Sequence, residues 1–108
     1  MVYDAGTDGE VIAVNQQTGH VYWRINQGSN TWASPVAIDN QMVLGDCNGG
    51  LHDYDISNPR VAPKLLWTVH LDGCIESTPA VWHGMLWVGA RGGEFYGIGD
   101  PGGNPIKP

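Results

Sequence analysis

Three stretches of the chain align without gaps: VYDAGTDGEVIAVN (residues 2–15), MVLGDCNGGLHDYD (42–55) and LWVGARGGEFYGIG (86–99). Each reads as a strand, a tight turn ending in Gly and a second strand. Gly9, Gly49 and Gly93 mark the same point, at intervals of 40 and 44 residues. Asp8-Gly9, Asn48-Gly49 and Gly92-Gly93 predict type I′ hairpin turns, in which both central residues take positive φ. The second half of the unit recurs as well. Trp23 lies eleven residues before Ser34 and Trp67 eleven before Thr78, and each hydroxyl precedes a proline, Pro35 and Pro79. VAI and AVW follow, each leading through a short turn (Asp39-Asn40, His83-Gly84) into the next strand.

One unit is therefore four strands: SPVAI, MVLG, GLHDYD and KLLWTVH. The extra residues of the longer period fall in SNPRVAP, whose two prolines exclude a central strand. A four-strand unit recurring every 40 to 44 residues predicts an all-β chain of four-stranded antiparallel β-propeller blades. Strands such as EVIAV and MLWV are apolar at successive positions, which suits sheets covered on both faces. An immunoglobulin-like sandwich has strands of similar length. It does not explain why hairpin, Trp and hydroxyl-Pro recur in one order.

The stretch GTDGEVIAVNQQTGHVYW resembles the repeat of the quinoprotein-like propellers. That repeat runs Asp-Gly, x, aliphatic, x, Ala, aliphatic, Asp/Asn, x, x, Thr-Gly, three residues, Trp, here Asp8, Gly9, Val11, Ala13, Val14, Asn15, Thr18, Gly19 and Trp23. The resemblance covers residues 2 to 100 and implies that Trp23 and Trp67 pack, mostly buried, between neighbouring blades. Two departures stand out. The second unit keeps Trp67 but replaces the Thr-Gly corner with the proline loop. At the small Ala position it carries Asp53, where the third unit has Gly97. A carboxylate there must find a partner or stay protonated, and the simpler expectation is a local repacking that leaves Asp53 at an edge.

The units divide residues 1–100 into an incomplete propeller: blade one at 1–26, blade two at 33–70 and blade three at 77–99, followed by a Gly/Pro-rich tail at 101–108. With three, four and three strands, it starts in the second strand of one blade and stops after the third of another. Closing a propeller takes about four to eight blades. The expected partners are the remaining blades of a larger propeller or other copies of the same chain. The first is the simpler, because head-to-tail copies would not sum to a clean blade.

The net charge of −6, with five scattered Lys and Arg, argues against nucleic acid. No apolar run approaches the roughly 18 to 20 residues that span a bilayer. The opening MVYDAG reads as a strand rather than a leader, so for an exported protein the leader is expected outside these residues.

In a propeller of this order, the loops leaving outer strands share a face with the loops between second and third strands. NQGSNTWA, GDCN, LDGCIES and GARGG fall there, bringing Asn30, Trp32, Asp46, Asn48, Asp72, Glu76 and Arg91 as candidate ligand or partner contacts. Cys47 and Cys74 lack zinc spacing. They are either two separate half-buried thiols or a disulfide. The disulfide is the stronger expectation, because their loops belong to adjacent blades and open on one face. It would imply an oxidising, extracytoplasmic compartment, periplasmic, cell-envelope or secreted.

Two functions compete. The resemblance to quinone-dependent dehydrogenases implies vicinal cysteines, a Trp floor, and a Glu/Asn/Asp set holding calcium. Cys47 and Cys74 are not vicinal, and no calcium-loop motif supports Glu76, Asn48 and Asp46 in that role. His20, His52, His70 and His83 show no metal spacing and read as structural or solvated. No catalytic set, metal or cofactor is therefore expected, with pyrroloquinoline quinone and calcium kept for the enzyme reading, a C-terminal fragment of such a dehydrogenase. The favoured reading is a binding or scaffolding module for a protein or peptide partner.

Overall fold

A computed structural model of the chain describes residues 1–82 and 85–99. The expected His83-Gly84 turn and the tail at 101–108 lie outside them. Ten strands form: β1 (Val2–Ala5), β2 (Glu10–Val14), β3 (Val21–Asn26), β4 (Val36–Ile38), β5 (Gln41–Gly45), β6 (Gly50–Asp55), β7 (Lys64–His70), β8 (Ala80–Trp82), β9 (Met85–Gly89) and β10 (Phe95–Gly99). There is no helix among the described residues. The strands build three antiparallel sheets in sequence order, β1-β2-β3, β4-β5-β6-β7 and β8-β9-β10. The chain is all-β, with its sheets arranged as propeller blades.

The hairpins that define the repeat are not type I′. Asp8 and Asn48 keep negative φ, while Gly9, Gly49 and Gly93 sit at 88°, 84° and 101°. In each hairpin the residue after the first strand pairs with the residue after the Gly: Gly6 N donates to Glu10 O, Asp46 N to Gly50 O and Ala90 N to Glu94 O. The loop is thus three residues long, a type I turn closed by a left-handed Gly that makes a bulge. Only the Gly needs positive φ, which is why Asp, Asn and Gly alternate freely before it. The two-residue turn with both residues left-handed occurs at Asp39-Asn40, where φ is 50° and 62°.

Two of these glycines differ in what surrounds them. A Cβ on Gly49 would lie 2.7 Å from the carbonyl oxygen of Leu71, whereas one on Gly93 would meet nothing within 4 Å. Gly93→Ala should therefore cost only the left-handed strain, about 1 kcal/mol. Gly49→Ala should add displacement of backbone and cost about 3 kcal/mol. Denaturant midpoints of the two variants check the ranking, and equal losses would contradict it.

A second irregularity also repeats. The pairing of β2 with β3 slips after Ala13, and that of β6 with β7 slips after Asp53, at the same point of the repeat. Tyr22 and Leu66 are the extra residues. Each bulge follows the pair that contains the Trp, Ala13↔Trp23 and Asp53↔Trp67, and re-aims the outer strand beside it.

The sheets stack through two apolar seams. In the first, Val11, Ala13 and Trp23 meet Ala33, Met42, Leu44, Tyr54 and Ile56 of the middle sheet and its flanks. In the second, Val43 and Leu51 from the opposite face of the middle sheet meet Ile75, Leu86 and Val88. The middle sheet is covered on both sides, which accounts for the unalternating burial of β5 and β6. The hydroxyl-Pro pairs join the inner strands: Ser34 N donates to Thr78 Oγ1 at 3.2 Å, linking equivalent residues of adjacent sheets.

The two tryptophans differ. Trp23 is 6% exposed, whereas Trp67 is half-buried. The proline loop makes the difference, because Ile56 joins the first seam, the Pro59 carbonyl accepts from Trp23 Nε1 at 2.9 Å and the Arg60 guanidinium lies over the Tyr22 ring. Among the described residues nothing takes that place over Trp67, whose buried Nε1 has no hydrogen-bond partner.

Candidate functional site

Loops 27–35 and 71–79 run along one end of the sheets, where the hairpins at 6–9, 46–49 and 90–93 also turn. They are stitched together by backbone hydrogen bonds that recur with the repeat. Gln27 N donates to Gly9 O, and Leu71 N to Gly49 O, tying each loop to its own sheet. Asn30 O accepts from Cys47 N, and Cys74 O from Arg91 N, tying each loop to the next sheet. Ile75 N adds a bond to Asp46 O at 3.0 Å. The result is a rim of short loops held from both sides.

Cys47 and Cys74 are bonded across this rim. The bond joins the middle hairpin to the loop that carries Ile75 into the second seam. Ile75 fits because residue 45 is Gly, where any Cβ would collide with the Ile75 side chain.

Six of the seven predicted contact residues lie on the rim surface: Asn30, Trp32, Asn48, Asp72, Glu76 and Arg91 are all exposed. Trp32 stands out with 60% of its surface in solvent, an aromatic side chain with no burial to explain it. Glu76 occupies the equivalent place one unit later and pairs with Arg91 at 3.3 Å, both well solvated. Such a pair contributes little to stability.

Asp46 is different: it is 3% exposed and faces inward. Its Oδ1 accepts from the amides of Asn48 and Gly50 at 2.9 Å each, and its Oδ2 meets His52 Nε2 at 2.6 Å. His52 Nδ1 in turn lies 2.9 Å from Thr68 Oγ1. Of the four histidines read as structural or solvated, His52 is held on both ring nitrogens. His52 lies at the centre of an Asp46–His52–Thr68 relay that fastens the hairpin to β7. His52 and Thr68 are register partners, and Asp46 begins the turn above them. The spacing of the three residues in sequence follows strand pairing, so no linear motif announces it. The relay joins the turn to the outer strand of the middle sheet.

Asp53 does not sit at an edge. It is fully buried in the central strand β6, with neither carboxyl oxygen hydrogen-bonded. Burial is the main reason its pKa is pushed up from 3.8 to about 7. The charge of Asp55 adds to the rise, and the nearby Tyr54 amide opposes it without reaching hydrogen-bond geometry.

The two cysteines are bonded across loops, both Asp46 oxygens are engaged, and Glu76 is paired with Arg91. Among the described residues no three metal-ligating side chains cluster. No helix there is long and apolar enough to cross a membrane.

No family model matches the chain. It is 31% identical over 93 residues to the outer membrane protein assembly factor BamB of Burkholderia pseudomallei, a match that takes in 86% of this chain and 23% of that protein. The crystal structure of BamB from Moraxella catarrhalis superimposes with a TM-score of 0.72 at 21% identity, over 88% of this chain and 27% of that one. The chain thus spans about a quarter of the length of these proteins.

Proposed function

We propose that this β-propeller array is a protein-binding scaffold in an extracytoplasmic assembly, with the loop rim as its contact face. The exposed Trp32 on a rim stitched by backbone bonds and a disulfide carries this reading. A rigid aromatic that remains in solvent loses little entropy when a partner covers it, and such residues dominate binding energies. Asn30, Asn48, Asp72, Glu76 and Arg91 would form the polar border. The Cys47–Cys74 bond supports an oxidising compartment. The similarity to BamB supports a part in assembling outer membrane proteins, and the short span relative to BamB supports further blades as neighbours.

The test is a photo-crosslinking amino acid placed at position 32 or at position 61 in cells. Val61 is 58% exposed in the proline loop at the opposite end of the sheets, so it serves as the control. Position 32 should capture a discrete envelope protein and position 61 should not. Equal capture at both positions, or none at 32, would sink the assignment of the face. With that protein purified, Trp32→Ala should weaken binding by about 2 kcal/mol, roughly thirty-fold.

A further inference from the structure

The two seams are built to one plan and differ in polarity at one equivalent position. Where Ala13 fills the first seam, the second has Asp53, its carboxyl oxygens without a hydrogen bond and its register partner Trp67 carrying an unpartnered N–H. Asp53 shares its face with Val43 and Leu51, and the cluster opposite is Ile75, Leu86 and Val88. The charged group that acts on it is Asp55 on its own strand, and Tyr96 from β10 packs against the same apolar cluster as Val43 and Leu51. Neither Asp55 nor Tyr96 can neutralise a carboxylate, since both are acids. Tyr96 is raised by burial and by its hydrogen bond with Asp72. The second seam is also the one beside the disulfide, whose loop supplies Ile75 and holds Arg91 N through Cys74 O. The first seam has no such bond.

We propose that the joint between the second and third sheets is proton-sensitive: ionisation of Asp53 loosens the third sheet, and the Cys47–Cys74 bond keeps it in place. A charge without a partner cannot remain in an apolar seam at low cost, so the ionised form favours an opened joint in which water reaches the carboxylate. The sign follows from the carboxyl's raised titration. In the closed joint the acid holds its proton to about pH 7, and in the opened one only to the ordinary 3.8. The closed joint is therefore fully favoured below the lower value and loses ground as pH rises through the higher one.

Hydrogen exchange on the full chain tests this, read as protection of the β9 and β10 amides corrected for intrinsic rates. In reduced protein, opening should increase roughly tenfold per pH unit between pH 5 and 7, with β2 and β3 showing no such trend. Asp53→Asn, which cannot ionise, should flatten the response. If that variant does not fold, Asp53→Ala, the residue found in the first seam, takes its place. Oxidised protein should open less than reduced protein at every pH. A variant that follows the same pH course as the parent would overturn the role of Asp53. Equal opening with and without the bond would overturn that of the disulfide.

Discussion

Trp23→Ala is expected to lower the stability of the chain by about 3–5 kcal/mol, the range for removing a large aromatic from a packed core. The indole is 6% exposed and lies in the seam between the first and second sheets, tilted against Tyr3 at 6.0 Å. Three elements meet on it: β2 through Ala13, the strand-entry loop through Ala33, and the proline loop through the Pro59 carbonyl. Truncation leaves a cavity that no single neighbour can fill, and it frees the Pro59 carbonyl. Trp23→Phe separates these effects, because it keeps most of the packing and deletes the hydrogen bond. It should cost about 1–2 kcal/mol. Trp67→Ala should cost less than Trp23→Ala, since Trp67 is half-buried and its N–H makes no bond to lose. Chemical denaturation of the three variants orders them, and a Trp23→Ala protein as stable as the parent would show that the seam is not the source of cohesion.

The strand order was legible because its markers act locally. A left-handed Gly closes a hairpin whatever surrounds it, so Gly9, Gly49 and Gly93 reveal three hairpins from the sequence alone. The rim was legible for the same reason, once the hairpins and the loops leaving the outer strands were ordered. The turn type was not, because Asp-Gly and Asn-Gly serve both a two-residue turn and the end of a three-residue one. The Asp46–His52–Thr68 relay was also hidden, since it depends on which residues face each other across β6 and β7, and the register is offset by the Leu66 bulge. For Asp53 the composition of the position was visible and its burial was not. Polarity suggested an edge, yet the repeat places residue 53 in the middle of a sheet covered on both faces. Repeat position prevailed over residue chemistry, and the carboxyl shifts its titration instead of moving out.

Removing the Cys47–Cys74 bond should cost about 3–4 kcal/mol, as expected in the chain-entropy account for a bond spanning 27 residues. The closed segment contains β6, the proline loop and β7, so the bond restricts the unfolded chain through half of the middle sheet. In the folded chain the same loop is already held by Leu71 N to Gly49 O and Ile75 N to Asp46 O, so little native structure needs to move when the bond is lost. A paired Cys47→Ala, Cys74→Ala variant should therefore keep its strand content while its unfolding midpoint drops. Reduced parent protein should match it. Thiol titration of unfolded, unreduced protein provides the direct check, with none expected to react. Two reactive thiols would remove the bond, and with it the main support for an oxidising compartment.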